Sequence, residues 1–249
     1  MLSKSRISLL KSLQQKKFRR EHGSFLVEGY KSIAEFIDSP YQLEAVYHTP
    51  AFSPKMLKLS QKINWCEISV NELEKISSLK TPQDAIAQIR MPEWPALNHS
   101  ELKGRFSLML DGIQDPGNMG TIIRIADWFG INDIVCSEDT VDAYNPKVVQ
   151  ACMGSLARVK VHYTELADIL SKAELPVFGA LLDGSNIYQT DFGNEGLIVM
   201  GNEGNGIRPE IQEKVTQTIT IPRAGGAESL NVAIATAIFC SEISRKTVK

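Results

Sequence analysis

The sequence predicts an α/β chain of two domains, a smaller one first and a parallel-sheet domain after it. Three observations predict this. Short apolar or β-branched runs alternate with helical patterns along the chain. After residue 105 those runs are largely apolar, as buried parallel strands covered on both faces are. Residues 91–105, MPEWPALNHSELKGR, join two prolines and several polar side chains with little periodicity, the composition of an interdomain linker. The domains are accordingly placed at 1–90 and 106–249, with 91–105 between them. At 249 residues and 43% hydrophobic content, the chain is long enough for two modest cores.

Taken in order, Ile7, Leu10 and Leu13 recur at helical spacing among Lys4, Arg6, Lys11, Lys16, Lys17, Arg19 and Arg20, so residues 4–20 read as a basic amphipathic helix. Ser24–Gly29 reads as a strand, Tyr30–Ile37 as a helix, Leu43–Tyr47 as a strand and Pro54–Ile63 as a helix. Beyond the linker, strands are expected at Phe106–Leu110, Asp133–Cys136, Arg158–His162, Val177–Leu182, Leu197–Met200 and Thr218–Ile221. Helices are expected at Asn118–Phe129, Pro146–Met153, Thr164–Ser171, Pro209–Val215 and Leu230–Arg245.

The net charge of −2 conceals an asymmetry: residues 1–90 carry 14 Lys and Arg against 9 Asp and Glu, and residues 91–249 carry 13 against 20. A basic first domain suits a polyanion, although surface charge that serves only solubility would read the same way. The four cysteines, Cys66, Cys136, Cys152 and Cys240, form no CxxC pair, which suits reduced thiols in a cytoplasmic protein. The acid-free first 20 residues also fit an organellar targeting segment. No apolar run approaches the about 20 residues of a membrane span, and no membrane partner is expected. His22, His48, His99 and His162 show no HExxH spacing, so no metal site is expected.

Three segments carry candidate chemistry. Leu110–Arg124 runs from a strand through a glycine-rich loop into a helix, where Asn118 reads either as an N-cap or as a site residue. Arg124 lies among Met119, Ile122, Ile123, Ile125 and Ala126, a setting in which an arginine asks for an anionic partner. Ile198–Ile207 carries Gly201, Gly204 and Gly206 around Asn202, Glu203 and Asn205, a tight turn or a ligand loop with a carboxylate at its apex. It is neither the dinucleotide fingerprint nor a P-loop. Ile219–Asn231 leads into an apolar helix that Ser229 or Asn231 can cap.

Together and in this order, the three segments resemble the signature motifs of the SpoU (TrmH-like) family of SPOUT RNA 2′-O-ribose methyltransferases. The matches are NxGxxxR at Asn118–Arg124, GNEGxG at Gly201–Gly206 and SLNV at Ser229–Val232. Phe18–Arg20 and Gly23–Gly29 are similar to the L30e-like substrate-binding domain such enzymes carry. The resemblance implies a trefoil-knotted catalytic domain with a smaller N-terminal L30e-like α/β domain. That makes the basic residues 4–20 part of a folded module.

It further implies S-adenosylmethionine held by Gly201, Ile221 and Leu230, with Leu181, Asn202, Gly204 and Gly206 nearby. Asn118, Arg124, Glu203, Ser229 and Asn231 would surround the acceptor ribose. Lys4, Arg6, Lys11, Lys16, Lys17, Arg19 and Arg20 would contact RNA, and the chain would be a homodimer. Arg223–Ala227 departs from the Met-x-Gly of many relatives. Ribosomal RNA of the large subunit is the expected substrate. Transfer RNA, a noncatalytic RNA-binding protein and a nucleotide-binding oxidoreductase are the alternatives.

Overall fold

Two sheets organise the described residues. The computed structural model describes residues 1–52, 63–95, 97 and 99–245; the helix expected at Pro54–Ile63 falls, but for Ile63, outside them. Two compact units result: Met1–Glu93 with Asp142–Ala157, and Trp94–Val141 with Arg158–Lys249.

The first unit holds α1 (Lys4–Ser12), α2 (Lys16–His22), β1 (Ser24–Glu28), α3 (Tyr30–Ile37), β2 (Leu43–His48), β3 (Trp65–Glu67), α4 (Val70–Ile76) and β4 (Ala85–Arg90). The expected single basic helix is thus two. At the break Arg19 Nη1 donates to the carbonyls of Leu13 (2.9 Å) and Gln14 (2.9 Å), satisfying acceptors that end α1, and the same guanidinium is held by Asp142. The sheet runs β1-β4-β2-β3, with β4 antiparallel to both neighbours and β2 parallel to β3. Strand β1 is buried throughout, because alternate side chains enter two cores. Leu26 joins Leu10, Leu13, Tyr47, Ile76 and Ile86, whereas the Phe25 ring packs against Phe36, Tyr41 and Tyr144.

Tyr144 belongs to a stretch that the linear division assigned to residues 106–249. Asp142–Ala157 packs instead with the first unit, its Tyr144 ring centroid 4.7 Å from Phe25 and its Asp142 accepting from Arg19 Nε at 3.1 Å. The local pattern shows that this stretch is helical and partly apolar, but not which core receives it.

The second unit contains β5 (Phe106–Asp111), α5 (Pro116–Trp128) and β6 (Asp133–Cys136); α6 (Pro146–Ala151) follows within the stretch just described. Then come β7 (Lys160–Tyr163), α7 (Leu166–Lys172), β8 (Val177–Asn186), β9 (Gly196–Gly201), α8 (Pro209–Gln212), β10 (Gln217–Thr220) and α9 (Val232–Ser244). Its sheet, β10-β8-β9-β5-β6-β7, is parallel at every pairing. Met109, Val135, Val177, Leu197 and Val199 share one core with Leu166, Ile169 and Leu170 of α7 and Ile211 of α8. Leu108, Leu110, Ile134, Ile198 and Met200 alternate with them and are buried on the opposite face. Parallel strands put the loops after β5, β8, β9 and β10 at one edge of the sheet, where ligands bind in such folds. Among the described residues, no helix is long and apolar enough to cross a membrane.

Candidate functional site

The first loop leaves β5 at Asp111 and enters α5 at Pro116. Asp115, not Asn118, is the N-cap: its Oδ1 accepts from the Asn118 amide N–H at 2.8 Å. Asn118 therefore lies inside the first turn, with its side-chain amide free to act elsewhere.

The second loop folds back on itself. Asn202 and Gly206 exchange backbone hydrogen bonds at 2.9 and 3.0 Å, Asn202 Oδ1 accepts from the N–H groups of Gly204 and Asn205, and Asn202 Nδ2 donates to Gly112 O at 2.7 Å. A Cβ on Gly201 would lie 2.3 Å from Gly206 C and Ile207 N, so this glycine is required by the loop's own backbone. At the apex, Glu203 accepts from Gln114 N–H (3.2 Å), Asp115 N–H (3.1 Å) and Asn118 Nδ2 (2.9 Å). Partial burial pushes the Glu203 carboxyl up, but the hydrogen bonds from Asn118 and from backbone N–H groups outweigh it and hold the carboxyl below its ordinary range.

The third loop, 222–231, is exposed, and Arg223 Nη1 donates across it to Ala227 O at 2.9 Å. Asn231 caps α9, its Oδ1 accepting from Ala233 N–H (2.9 Å) and Ile234 N–H (3.3 Å), while its Nδ2 donates to Asn118 Oδ1 at 2.9 Å. A chain of fixed polarity results. The ionised Glu203 only accepts, so Asn118 turns its NH2 towards Glu203 and its oxygen towards Asn231; Asn231 then has its own oxygen for the helix cap. Glu203, Asn118 and Asn231 are thereby joined, one from each of the three motif segments.

Arg124 and Ser229 stand outside that chain. Arg124 is exposed on α5 and has no hydrogen bond or ion pair among the described residues, so any anionic partner comes from elsewhere. Ser229 is exposed, and the capping role falls to Asn231 alone. Ile221 is half-buried and Leu230 half-exposed. Leu181 packs against the sheet core, leaving its neighbour Leu182, 72% exposed, as the apolar side chain facing out. Exposed Leu182 and Leu230, backbone polar groups of three adjoining loops and the Glu203 carboxylate suit a flat apolar base carried with a cationic sulfonium, as in S-adenosylmethionine.

Of the basic residues, Lys4, Lys11, Lys16, Lys17 and Arg20 are exposed. Arg6 is partly engaged, donating to Tyr47 Oη and Gln88 Oε1. Arg19 departs from the expectation: it is 1% exposed and paired with Asp142, and so is not presented to RNA. Sequence reasoning also passed over Gln114, Asp111 and Arg208. Gln114 Nε2 ties Gly112 O to Asp139 O, and Asp111 receives Arg208. All three lie in or beside the motif segments, which was the one available signal.

A model of the SpoU rRNA Methylase family matches residues 105–241, and a model of the MRM3-like substrate binding domain matches residues 4–87. The 23S rRNA (guanosine(2553)-2'-O)-methyltransferase RlmP of Bacillus subtilis (strain 168) is 33% identical over 234 residues, 92% of each chain. A solved TrmH-family chain from Porphyromonas gingivalis matches with a TM-score of 0.89 at 39% identity, over 99% of both chains. The AdoMet-bound rRNA methyltransferase from Sinorhizobium meliloti matches with a TM-score of 0.88 at 27% identity, over 100% of this chain and 97% of that one.

Proposed function

The chain belongs to the SpoU rRNA methylase family, and from that premise we propose that it methylates a ribose 2′-hydroxyl of large-subunit ribosomal RNA, using S-adenosylmethionine. One observation carries the reading: Glu203, Asn118 and Asn231, from three motif segments far apart in sequence, meet in a single hydrogen-bond chain at the sheet edge. When bound, the cofactor supplies a methyl group on a positively charged sulfur.

The protein's own work is positioning. Gly201, Asn202, Gly204 and Gly206 shape one wall for the cofactor, and Ile221 and Leu230 another, with Leu181 contributing backbone beside Leu182. Asn118 and Asn231, locked in orientation by Glu203, hold the acceptor ribose, with Ser229 beside them. Arg124, with no side-chain partner among the described residues, grips an RNA phosphate two-pronged and orients the hydroxyl while solvent takes up its proton. Acceptance of the ribose proton by Arg124 is the alternative version of its role.

The division of labour follows the two units. Residues 1–90, completed by 142–157, hold RNA, while 106–249, less that stretch, hold the cofactor, and 91–105 link the two. The trefoil-knotted chain path is part of the same proposal, supported by a parallel sheet in which β10 returns beside β8. So are action in the cytoplasm, transfer without a metal ion, and a homodimer formed through α5 and α9. These two helices pack together yet leave Trp128 84% exposed and Ile234 half-exposed.

Mapping 2′-O-methyl groups across total RNA with and without this protein tests the function. One large-subunit site is expected to lose its methyl group. A lost transfer-RNA site would redirect the reading, and no lost site would refute enzymatic activity. Arg124→Lys, measured for RNA affinity and for single-turnover methylation, separates the two roles: weakened RNA binding marks the clamp, and slow single-turnover methylation with binding retained marks the chemical role.

A further inference from the structure

Asp111 ends β5 directly opposite Gly201 in the ladder, at the point where the glycine loop begins. It is 1% exposed, and both carboxylate oxygens are taken by one residue at the far end of that loop. Arg208 N–H donates to Oδ2 at 2.8 Å, while its Nε (2.7 Å) and Nη2 (2.6 Å) reach Oδ1. We infer that this Asp111–Arg208 pair positions the Gly201–Gly206 loop for S-adenosylmethionine, making Arg208 a positioning residue for methyl transfer. The inference rests on the reading of that loop as the cofactor's.

Two features point to the cofactor side and away from RNA. Both ends of the loop meet at Asp111, Gly201 by backbone strand pairing and residue 208 by its N–H on the carboxylate, so the carboxylate ties the loop's far end to the strand that holds its near end. The guanidinium also has Asp139 Oδ1 at 3.8 Å and Glu210 Oε1 at 3.7 Å, so three carboxylates share one cation and no positive charge is left over for a phosphate. Asp111 without Arg208 would be a buried, uncompensated charge, and bringing it into contact with water requires the loop to move. A loop that is competent in one molecule in ten binds its ligand with a roughly tenfold weaker apparent affinity.

The test uses the full chain and S-adenosylmethionine itself. Arg208→Ala is expected to raise the Kd and KM for S-adenosylmethionine at least about tenfold, with kcat at saturating cofactor and RNA affinity nearly unchanged. The neutral pair Asp111→Asn with Arg208→Gln, which retains a donor facing an acceptor, should recover most of that affinity. If Arg208→Ala does not fold, Arg208→Lys decides: it keeps the charge but not the two-pronged grip, so KM should rise while kcat holds. Unchanged cofactor affinity in a folded Arg208 variant overturns the inference, as does an equal loss of RNA binding. A wild-type chain that fails to bind S-adenosylmethionine sinks the cofactor reading and this inference together, whereas wild-type binding matched by the variant sinks the pair alone.

Discussion

Arg19 Nε and Nη2 donate to Asp142, while Nη1 donates to the carbonyls that end α1, so one guanidinium both pairs a charge and closes a helix. Breaking a buried ion pair from one side costs about 3–5 kcal/mol, because the other charge is left without compensation. Arg19→Ala should therefore lower the melting temperature sharply, and its loss of RNA binding should track unfolding. A variant with wild-type stability and weakened RNA binding would return Arg19 to the phosphate-gripping set. Its role was illegible in sequence because Asp142 lies 123 residues away, and a buried arginine counts the same as an exposed one. Asn118 shows the opposite case. Its position allowed a cap or a site residue, and Asp115, three positions earlier, takes the cap and leaves the amide for Glu203 and Asn231.

Elements with a strong local pattern were legible. The strand expected at Asp133–Cys136 and the helix at Tyr30–Ile37 are found at those bounds, since apolar runs and helical spacing determine them locally. Where a neighbour enters, the reading failed: Arg19, held by Asp142, bonds the carbonyls at the break between α1 and α2, and 142–157 packs on Phe25. The faces of α5 and α9 belong to this scale too. Trp128 at 84% exposure is an unusual cost for a helix end, and a second copy of the chain would cover it together with Ile234. Trp128→Glu is expected to shift the chain from dimer to monomer in sedimentation, with the melting of the individual fold little affected. A wild-type monomer at micromolar concentration would remove the dimer from the proposal.

At the scale of the whole molecule, the charge asymmetry is plain from residue counts, and burial reduces the seven N-terminal cations to those that solvent can reach. Lys4, Lys11, Lys16, Lys17 and Arg20 are exposed in the first unit, while the three motif loops lie in the second. Gripping phosphates releases counterions, so affinity falls with salt in proportion to the number gripped. Changing Lys16, Lys17 and Arg20 together to glutamine should flatten the slope of log affinity against log salt by about three, one for each phosphate no longer neutralised. None of these side chains belongs to the unit that holds the motif loops, so S-adenosylmethionine affinity and kcat at saturating RNA should stay at wild-type values. Filter binding across salt concentrations, run beside calorimetry with the cofactor, measures both. An unchanged salt slope would move the RNA grip off α2, and a parallel fall in cofactor affinity would mean that the two units do not divide the labour as proposed.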